Sequence, residues 1–242
     1  MRRLIENTAK KIKGEDYNLD KRIPITYLTG YAKRRLNMLL RGFFKTFGVE
    51  KRGKHVFVGR KVSILCKKYI RLGSNVTIQD RVCIDALSQN GITIGSGSSI
   101  GSGTIIRCSG NYHKLGIGFT MGNNSSLADN CFVGATGGVW IGDDVIGGQY
   151  IRFHASNHNF DDTSVPIKNQ GISSKGIRIG NNCWIGSGVV FCDGVVIGDG
   201  CVIGANTVVT KSFPTNSVIV GNPAKKLRSR GETEKYNVNE KA

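Results

Sequence analysis

Apolar residues recur every six positions between Ile179 and Phe213, with small or polar residues between them. The leading positions of this series are Ile179, Ile185, Phe191, Ile197, Ile203 and Val209. A second series follows each of them by four residues and holds Cys183, Val189, Val195, Cys201, Thr207 and Phe213. A period of six matches neither an α-helix nor a β-hairpin. It predicts a three-sided prism of short parallel strands, with the leading residues in the core and Gly at the corners.

The same period extends upstream to Val58 and predicts about seven coils, each made of three hexapeptides. Several coils begin with an extra apolar residue two positions before the leading one, at Ile70, Ile92, Phe119, Val139 and Ile177. The period is interrupted at 87–91, at 110–118 and, over the longest stretch, at 154–176. Long insertions in a compact repeat domain are usually functional or disordered, so we expect the 154–176 loop to carry function.

Residues 1–54 lack the six-residue period and contain a predicted basic amphipathic helix at 31–47. Such a helix caps the open end of the prism, packs on a neighbouring subunit or lies on a membrane; capping and membrane contact are compatible. The prism is expected at 55–213, and Pro214 is expected to break its last coil. The remaining segment, 214–242, is expected to end in a flexible tail.

The net charge of the chain is +17, and most of it lies near the N-terminus. Residues 1–71 contain 20 Lys and Arg against 5 Asp and Glu, which gives +15. Residues 72–242 contain 14 against 12, which gives +2. No nucleic-acid recognition module surrounds the basic residues, so we expect no nucleic-acid partner and favour an anionic membrane surface.

Seven cysteines without a C-x-x-C pair indicate neither a disulfide framework nor a zinc site. Cys131, Cys183 and Cys201 fall in the second series, so we interpret them as buried apolar residues. The sequence has no apolar run long enough to span a membrane and no secretory signal segment. We therefore expect a soluble cytoplasmic protein, with peripheral contact at the inner face of the membrane through residues 31–47.

Three segments together resemble the hexapeptide-repeat acyltransferases: IGNNCWIGS at 179–187, the run from Ile203 to Lys211, and GNPAK at 221–225. The similarity covers about residues 55–228 and is greatest to sugar O-acetyltransferases related to maltose and galactoside acetyltransferase. It implies an all-β fold, a left-handed parallel β-helix, that assembles as a homotrimer and binds acetyl-CoA between adjacent subunits. The left-handedness is an exception to the usual crossover rule and follows from the resemblance alone.

The resemblance also implies that a loop histidine acts as general base on the acceptor hydroxyl. His158 aligns with this base. The predicted substrate-binding residues are His154, Asn157 and Asp161. The group that orients the histidine in the family aligns with Ala128 or Asp129, so the identity of the orienting group stays open.

The expected acetyl-CoA contacts are Trp184, Ser187, Ala205, Thr210, Lys211, Lys225 and Arg228. Trp184 resembles an aromatic residue that lines the acceptor and pantetheine region, although it could instead pack against the 154–176 loop. The three cations resemble those that meet the CoA phosphates, and their charge suits that role. Direct attack of the hydroxyl on bound acetyl-CoA, without an acyl-enzyme, is the mechanism that the resemblance implies.

We therefore predict an acetyl-CoA-dependent O-acetyltransferase that needs no metal and acts on a free or lipid-linked sugar in polysaccharide biosynthesis. One alternative is N-acetylation of an amino-sugar. A second is a γ-type carbonic anhydrase with His113, His154 and His158 as zinc ligands, although the step from His154 to His158 is four residues rather than the expected five. A third is a non-enzymatic scaffold, which predicts no saturable binding of acetyl-CoA.

Overall fold

The predicted prism forms in the computed structural model, which describes Glu6 and residues 19–110 and 113–232. Its three sides are parallel sheets, called faces A, B and C in chain order, and each strand pairs with the equivalent strand one coil away. Face A and face C each contain seven strands, so the prism has seven complete coils, the number expected from the sequence. The fold is a left-handed parallel β-helix, and the predicted fold class is confirmed.

The first five coils run from β1 to β15. In the order face A, face B, face C for successive coils, their strands are β1 (Lys51–Arg52), β2 (Phe57–Val58), β3 (Ser63–Leu65), β4 (Ile70–Leu72), β5 (Thr77–Ile78), β6 (Cys83–Asp85), β7 (Ile92–Ile94), β8 (Ser99–Ile100), β9 (Ile105–Arg107), β10 (Phe119–Met121), β11 (Ser126–Leu127), β12 (Phe132–Gly134), β13 (Val139–Ile141), β14 (Ile146–Gly147) and β15 (Arg152–His154).

The long loop contains β16 (Asn157–His158) and β17 (Ile172–Ser173). The last two coils contain β18 (Ile177–Ile179), β19 (Trp184–Ile185), β20 (Val190–Phe191), β21 (Val196–Ile197), β22 (Val202–Ile203) and β23 (Val208–Val209). β24 (Ser217–Val220) adds an eighth parallel strand to face B, and β25 (Lys225–Ser229) pairs with β24 antiparallel. The prism therefore continues beyond Pro214, where we predicted a break, because the main chain returns to face B after that proline.

The core is built from the two series recognised in the sequence. The leading residues from Val58 to Val209 are buried, except Ile64, which is half-buried. The extra apolar residues at the start of each coil are buried too, and so are Cys131, Cys183 and Cys201. Phe153 and Phe191 stack in adjacent coils with their ring centroids 5.0 Å apart. Burial of these side chains is the main driving force for the fold.

Glycine at the corners allows adjacent coils to approach closely. At Gly186, which follows a leading residue, an added Cβ would lie 2.5 Å from the backbone nitrogen of Ala205 in the next coil. Close approach of coils, rather than a left-handed conformation, therefore requires glycine there. The left-handed backbone conformation occurs later in the corners, for example at Asn182 and Asn206, a residue type that adopts it more readily than most.

All three interruptions leave the prism at the same edge, the one between face C and face A. They follow β6, β9 and β15, which are the face C strands of coils 2, 3 and 5. We call this edge CA, and the edge between face B and face C is edge BC. The long loop is thus placed beside the shorter ones on a single side of the molecule.

The N-terminal helix α1 (Ile25–Lys45) is longer than predicted and begins directly after Pro24. The sequence pattern missed its first turns because the apolar period becomes clear only from Leu36. α1 packs on coil 1, buries Leu28, Met38 and Gly42, and donates a hydrogen bond from Arg41 Nε to the Val58 carbonyl, 3.0 Å away. Among the described helices, none has the length and apolar content needed to cross a bilayer.

The two glycines of α1 give a matched test of this packing. A Cβ on Gly42 would overlap the Val56 carbonyl oxygen, whereas a Cβ on Gly30 would meet nothing within 4 Å. We expect Gly42→Ala to destabilise the protein by about 1–3 kcal/mol. Gly30→Ala should stabilise it by roughly 0.5–1 kcal/mol, because alanine favours the helix. Thermal unfolding checks both, and equal shifts in the same direction would show that α1 does not pack on coil 1.

Candidate active site

The 154–176 loop folds onto itself as a short hairpin. β16 and β17 pair antiparallel, with Asn157 opposite Ser173 and His158 opposite Ile172. A 3-10 turn at Ile167–Asn169 lies between the two strands. Gln170 crosslinks the loop, because its Nε2 donates to the carbonyl oxygens of Asp162 and Val165 at 2.7 Å each. The hairpin gives His158 a defined main-chain position.

The loop is tied back to the prism at its C-terminal end. The backbone nitrogens of Lys175 and Gly176 both donate to the carboxylate of Asp193, at 2.8 and 2.7 Å. Asp193 lies on edge CA in coil 6, one coil beyond the strand from which the loop departs. Charge-assisted hydrogen bonds of this kind are stronger than neutral ones, so they fix the end of the loop on the coil below.

The two loop histidines have different surroundings. His158 is exposed on the hairpin, together with Asn157 and Asp161. His154 ends β15, and its ring lies 5.6 Å from that of Phe132 in the preceding coil. Partial burial, and then the charge of Arg152, lower the pKa of His154, so its neutral form is favoured. Both side chains are exposed, but His154 lies against the Phe132 ring of the prism, whereas His158 lies out on the hairpin.

The thiols of Cys131, Cys183 and Cys192 are held in the protonated form. Burial raises the pKa of both Cys131 and Cys183 to about 11. Burial also raises the pKa of Cys192, which follows β20 on edge CA. Because the thiolate is the nucleophilic form, none of these three cysteines is prepared to form an acyl-enzyme at neutral pH.

The expected acetyl-CoA contacts lie in three parts of the prism. Ser187 and Ala205 follow β19 and β22 on edge BC, whereas Thr210 and Lys211 follow β23 on edge CA. The corner turn at Ala205–Asn206 and strand β23 on face C lie between Ala205 and Thr210. The structure therefore does not bring these two pairs together within one chain.

The remaining predicted contacts lie on face B. The Trp184 side chain points outward from β19 and is 57% exposed. β25 carries Lys225 and Arg228 at the far end of the same face, opposite Val220 and Val218 of β24. Arg228 Nη1 donates to the carbonyl oxygens of Ser229 and Glu232, so part of its hydrogen-bonding capacity is already used.

Ala128 and Asp129, the aligned positions for the orienting group, follow β11 on edge BC. The Ala128 carbonyl already accepts hydrogen bonds from Thr104 and Cys131 of its own chain. The Asp129 carboxylate accepts one from the backbone nitrogen of Ser102, at 2.6 Å. The loop that carries His158 leaves the prism at edge CA, so the width of face C separates the start of this loop from both positions in the same chain.

Among the described residues, no three His, Cys, Asp or Glu side chains are grouped so that they could hold a metal ion. His113, His154 and His158 therefore do not form a zinc site within one chain.

Residues 176–211 match the family described as bacterial transferase hexapeptide (six repeats). This matched segment forms the last two coils of the prism. It includes Trp184, Ser187, Ala205, Thr210 and Lys211. It begins at the residue where the 154–176 loop rejoins the prism, so the hexapeptide segment and the hairpin that carries His158 are contiguous.

Two relatives extend the similarity beyond the hexapeptide segment. Galactoside O-acetyltransferase from Escherichia coli K12 is 33% identical over 130 residues, which are 52% of this chain and 61% of that enzyme. A Mycobacterium tuberculosis protein described as a probable acetyltransferase is 33% identical over 92 residues, or 38% of this chain and 31% of the relative. The chain thus spans less than two thirds of the length of these relatives. The resemblance to hexapeptide-repeat acetyltransferases is confirmed.

The fold is shared with AntD, an N-acyltransferase from Bacillus cereus crystallised with dTDP and 3-hydroxybutyryl-CoA. The two structures align with a TM-score of 0.52 and 24% sequence identity, over 78% of this chain and 88% of AntD. The likeness supports the β-helix.

Two features of this region were not predicted from the sequence. The β16–β17 hairpin was treated as an irregular loop, although the short β-prone pair Ile172 and Ser173 after Gly171 was a weak signal for it. The division of the donor positions between two edges was also missed. Counting hexapeptides from Ile179 assigns Ala205 to one corner and Thr210 to the next, so the sequence did contain that information.

Proposed function

We propose that this chain is an acetyl-CoA-dependent O-acetyltransferase that acetylates a sugar hydroxyl in cell-surface polysaccharide biosynthesis. The observation that carries the proposal is the hairpin, which presents the exposed imidazole of His158 next to the hexapeptide segment. Histidine is the side chain that most often serves as a general base, which acyl transfer to an alcohol requires. The identity with galactoside O-acetyltransferase supports a sugar hydroxyl as acceptor.

In the proposed reaction, the acceptor oxygen attacks the thioester carbonyl while His158 removes the hydroxyl proton. A carbon–oxygen bond forms, the carbon–sulfur bond breaks, and the proton passes from His158 to the departing CoA thiolate. The raised pKa values of the nearby thiols support this direct route over a cysteine acyl-enzyme. Holding both substrates on a rigid β-helix supplies much of the acceleration through proximity.

The active unit that we propose is a homotrimer with its sites between subunits. Edge CA of one prism carries His158, Thr210 and Lys211, and edge BC carries Ser187 and Ala205. One face separates these groups within a chain, whereas two prisms side by side would place edge CA of one against edge BC of the next. The orienting oxygen for His158 would then come from the neighbouring copy. A closed cyclic trimer satisfies this arrangement three times.

The function is tested with purified protein, acetyl-CoA and a panel of oligosaccharides and amino-sugars. We expect release of free CoA thiol with a hydroxyl acceptor and a mass increase of one acetyl group on the product. If only amine acceptors were acetylated, the protein would be an N-acetyltransferase rather than an O-acetyltransferase. If no acceptor gave thiol release, the proposal would be overturned. Sedimentation should give three times the chain mass of 26.2 kDa.

We further propose that α1 contacts an anionic membrane, which suits a lipid-linked acceptor. The helix and the two residues after it present an outward row of apolar side chains, the α1 stripe, formed by Leu36, Leu40, Phe43, Phe44 and Phe47. Phe44 is 72% and Phe47 81% exposed. The Arg52 guanidinium lies 5.1 Å from the Phe43 ring, and Lys67 Nζ donates to the Phe47 carbonyl. Apolar side chains rimmed by cations are typical of interfacial helices.

Vesicle binding tests this contact. We expect the protein to sediment with phosphatidylglycerol vesicles. The double variant Phe43→Ser, Phe44→Ser should bind at least ~10-fold more weakly, because it lacks two aromatic side chains that would be buried in the membrane. Leu227→Ser, an exposed apolar position on β25, is the matched control and should bind normally. Equal binding by both variants, or no binding by the unmodified protein, would contradict membrane contact; a smaller oligomer in the double variant would assign the stripe to a subunit interface.

A further inference from the structure

A polar groove of about 430 Å³ lies on face B and edge BC, between α1 and the middle of the prism. We call it the BC groove; it is lined by Arg34, Gln79, Ser99, Gly101, Ser102, Ser126, Leu127, Ala128 and Asp129. Its size falls within the range of small-molecule sites. Its floor is formed by the outward residues of β8 and β11, which pair as Ser99 opposite Ser126. The groove contains Ala128 and Asp129, the aligned positions for the group that orients the histidine, but His154, Asn157 and Asp161 do not line it.

The hydroxyl groups of the groove differ from those inside the prism. Ser98 and Ser125 point inward, and their hydroxyls donate to the carbonyls of Gly122 and Gly142 at 2.7 Å. Across the described residues, the side-chain hydroxyls of Ser99, Ser102 and Ser126 have no hydrogen-bond partner. Small outward hydroxyls in a row leave a depression and retain their donors and acceptors for a ligand, as sugar binding requires.

The two ends of the groove carry opposite charges. At the end near α1, Arg34 Nη2 donates to Gln79 Oε1 at 3.2 Å and lies 4.0 Å from Asp80 Oδ2. The Asp80 carboxylate also forms an ion pair with Arg60. A hydrogen bond from the Arg60 backbone is the largest cause of the lowered pKa of Asp80. Arg34 is the cation that lines the groove itself, and Arg60, Lys61 and Arg81 line a separate neighbouring depression together with Asp80. The other end carries the Asp129 carboxylate, an acceptor for hydroxyl groups.

We propose that the BC groove binds a sugar joined to a phosphate, with the sugar on Ser99, Ser126 and Asp129 and the phosphate on Arg34. This inference rests on the proposed function and names the acceptor as a phosphate-bearing sugar. Two strand spacings, about 10 Å, separate β5 beside Arg34 from β11. Trp184 lies two strands beyond β11 on the same face, so its exposed indole borders the route from the groove towards the predicted donor positions. A guanidinium suits phosphate because its paired donors match the phosphate oxygens.

The test compares Arg34→Gln with Lys33→Gln, which removes the same charge from the adjacent, exposed position of α1. The first probe is inorganic pyrophosphate, measured by calorimetry at low salt. We expect saturable binding to the unmodified protein, at least ~10-fold weaker binding to Arg34→Gln and a change below twofold in Lys33→Gln. Equal behaviour of the two variants, or no binding to the unmodified protein, would overturn the inference.

Kinetics then distinguish the source of the phosphate. UDP-galactose serves as the soluble acceptor, and a polyprenyl-pyrophosphate galactose in vesicles serves as the lipid-linked one. For the acceptor that is used, Arg34→Gln should raise KM at least ~10-fold with little change in kcat, and Ser126→Ala should raise KM less. If Arg34→Gln and Lys33→Gln released thiol at the same rate, acceptor binding in the BC groove would be overturned, while the proposed acetyltransferase function would stand. Pyrophosphate binding that depends on Arg34, without thiol release from any acceptor, would overturn the proposed function and leave an anion site.

Discussion

Replacing His158 with alanine is expected to lower kcat at least ~100-fold, because general base assistance typically contributes ~10²–10⁴-fold. The same variant should bind acetyl-CoA normally in calorimetry, since the predicted donor contacts lie on the prism rather than on the hairpin. The measurement is thiol release under saturating acetyl-CoA and acceptor.

His154→Ala is the matched control, because it removes an imidazole four residues away in the same loop. His154 ends β15 against Phe132, so its loss should act mainly through substrate binding or local packing and reduce kcat less than tenfold. Thermal unfolding of His158→Ala should match that of the unmodified protein, because the residue is exposed and pairs with Ile172 through the main chain. If His158→Ala kept a kcat within threefold of normal, or if His154→Ala lost more kcat than His158→Ala, a residue other than His158 would be the general base.

Co-expression of two inactive variants tests whether the site is shared. His158→Ala removes a group on edge CA, and Ala205→Trp would block edge BC, where Ala205 is exposed. If each site uses edge CA of one subunit and edge BC of the next, mixed trimers contain some sites with both edges intact. Activity in mixed trimers well above that of either pure variant is therefore the outcome that the shared site requires.

The prism was predictable because its period is set by geometry that repeats along the chain. A side chain such as Ile100 is enclosed on every side by residues one coil before and after, so the same residue type is required at the same phase. The position of the long loop was predictable for the same reason, since residues that leave the phase must leave the prism. Left-handedness depended on resemblance, because spacing alone is the same for both hands.

The candidate site was less predictable because it depends on contacts between segments that are distant in sequence. Arg34 meets Gln79 across 45 positions, and no local pattern in α1 distinguishes Arg34 from Lys33. The start of α1 at Ile25 and the return of the chain to face B after Pro214 were also missed, because each is decided by packing on the prism. The hairpin was missed because two-residue strands carry almost no periodic signal.

Phe191→Ala is expected to destabilise the protein by about 3–5 kcal/mol, the usual cost of truncating a buried phenylalanine. Phe191 is fully buried, stacks on Phe153 of coil 5 and pairs with Val209 of coil 7 through the main chain. Its removal leaves a cavity at the junction between the long loop and the hexapeptide segment. Urea unfolding at fixed protein concentration measures the effect as a lower midpoint with an unchanged slope.

Phe160→Ala is the control for this substitution, because Phe160 lies in the long loop and is 67% exposed. It should change the free energy of unfolding by less than about 0.5 kcal/mol, since no core cavity forms. In a repeat fold, the stability of each coil depends on its interfaces with its neighbours, so a cavity at Phe191 weakens the coils on both sides. A loss below about 1 kcal/mol in Phe191→Ala would mean that the coils can close around the gap, contrary to a rigid prism.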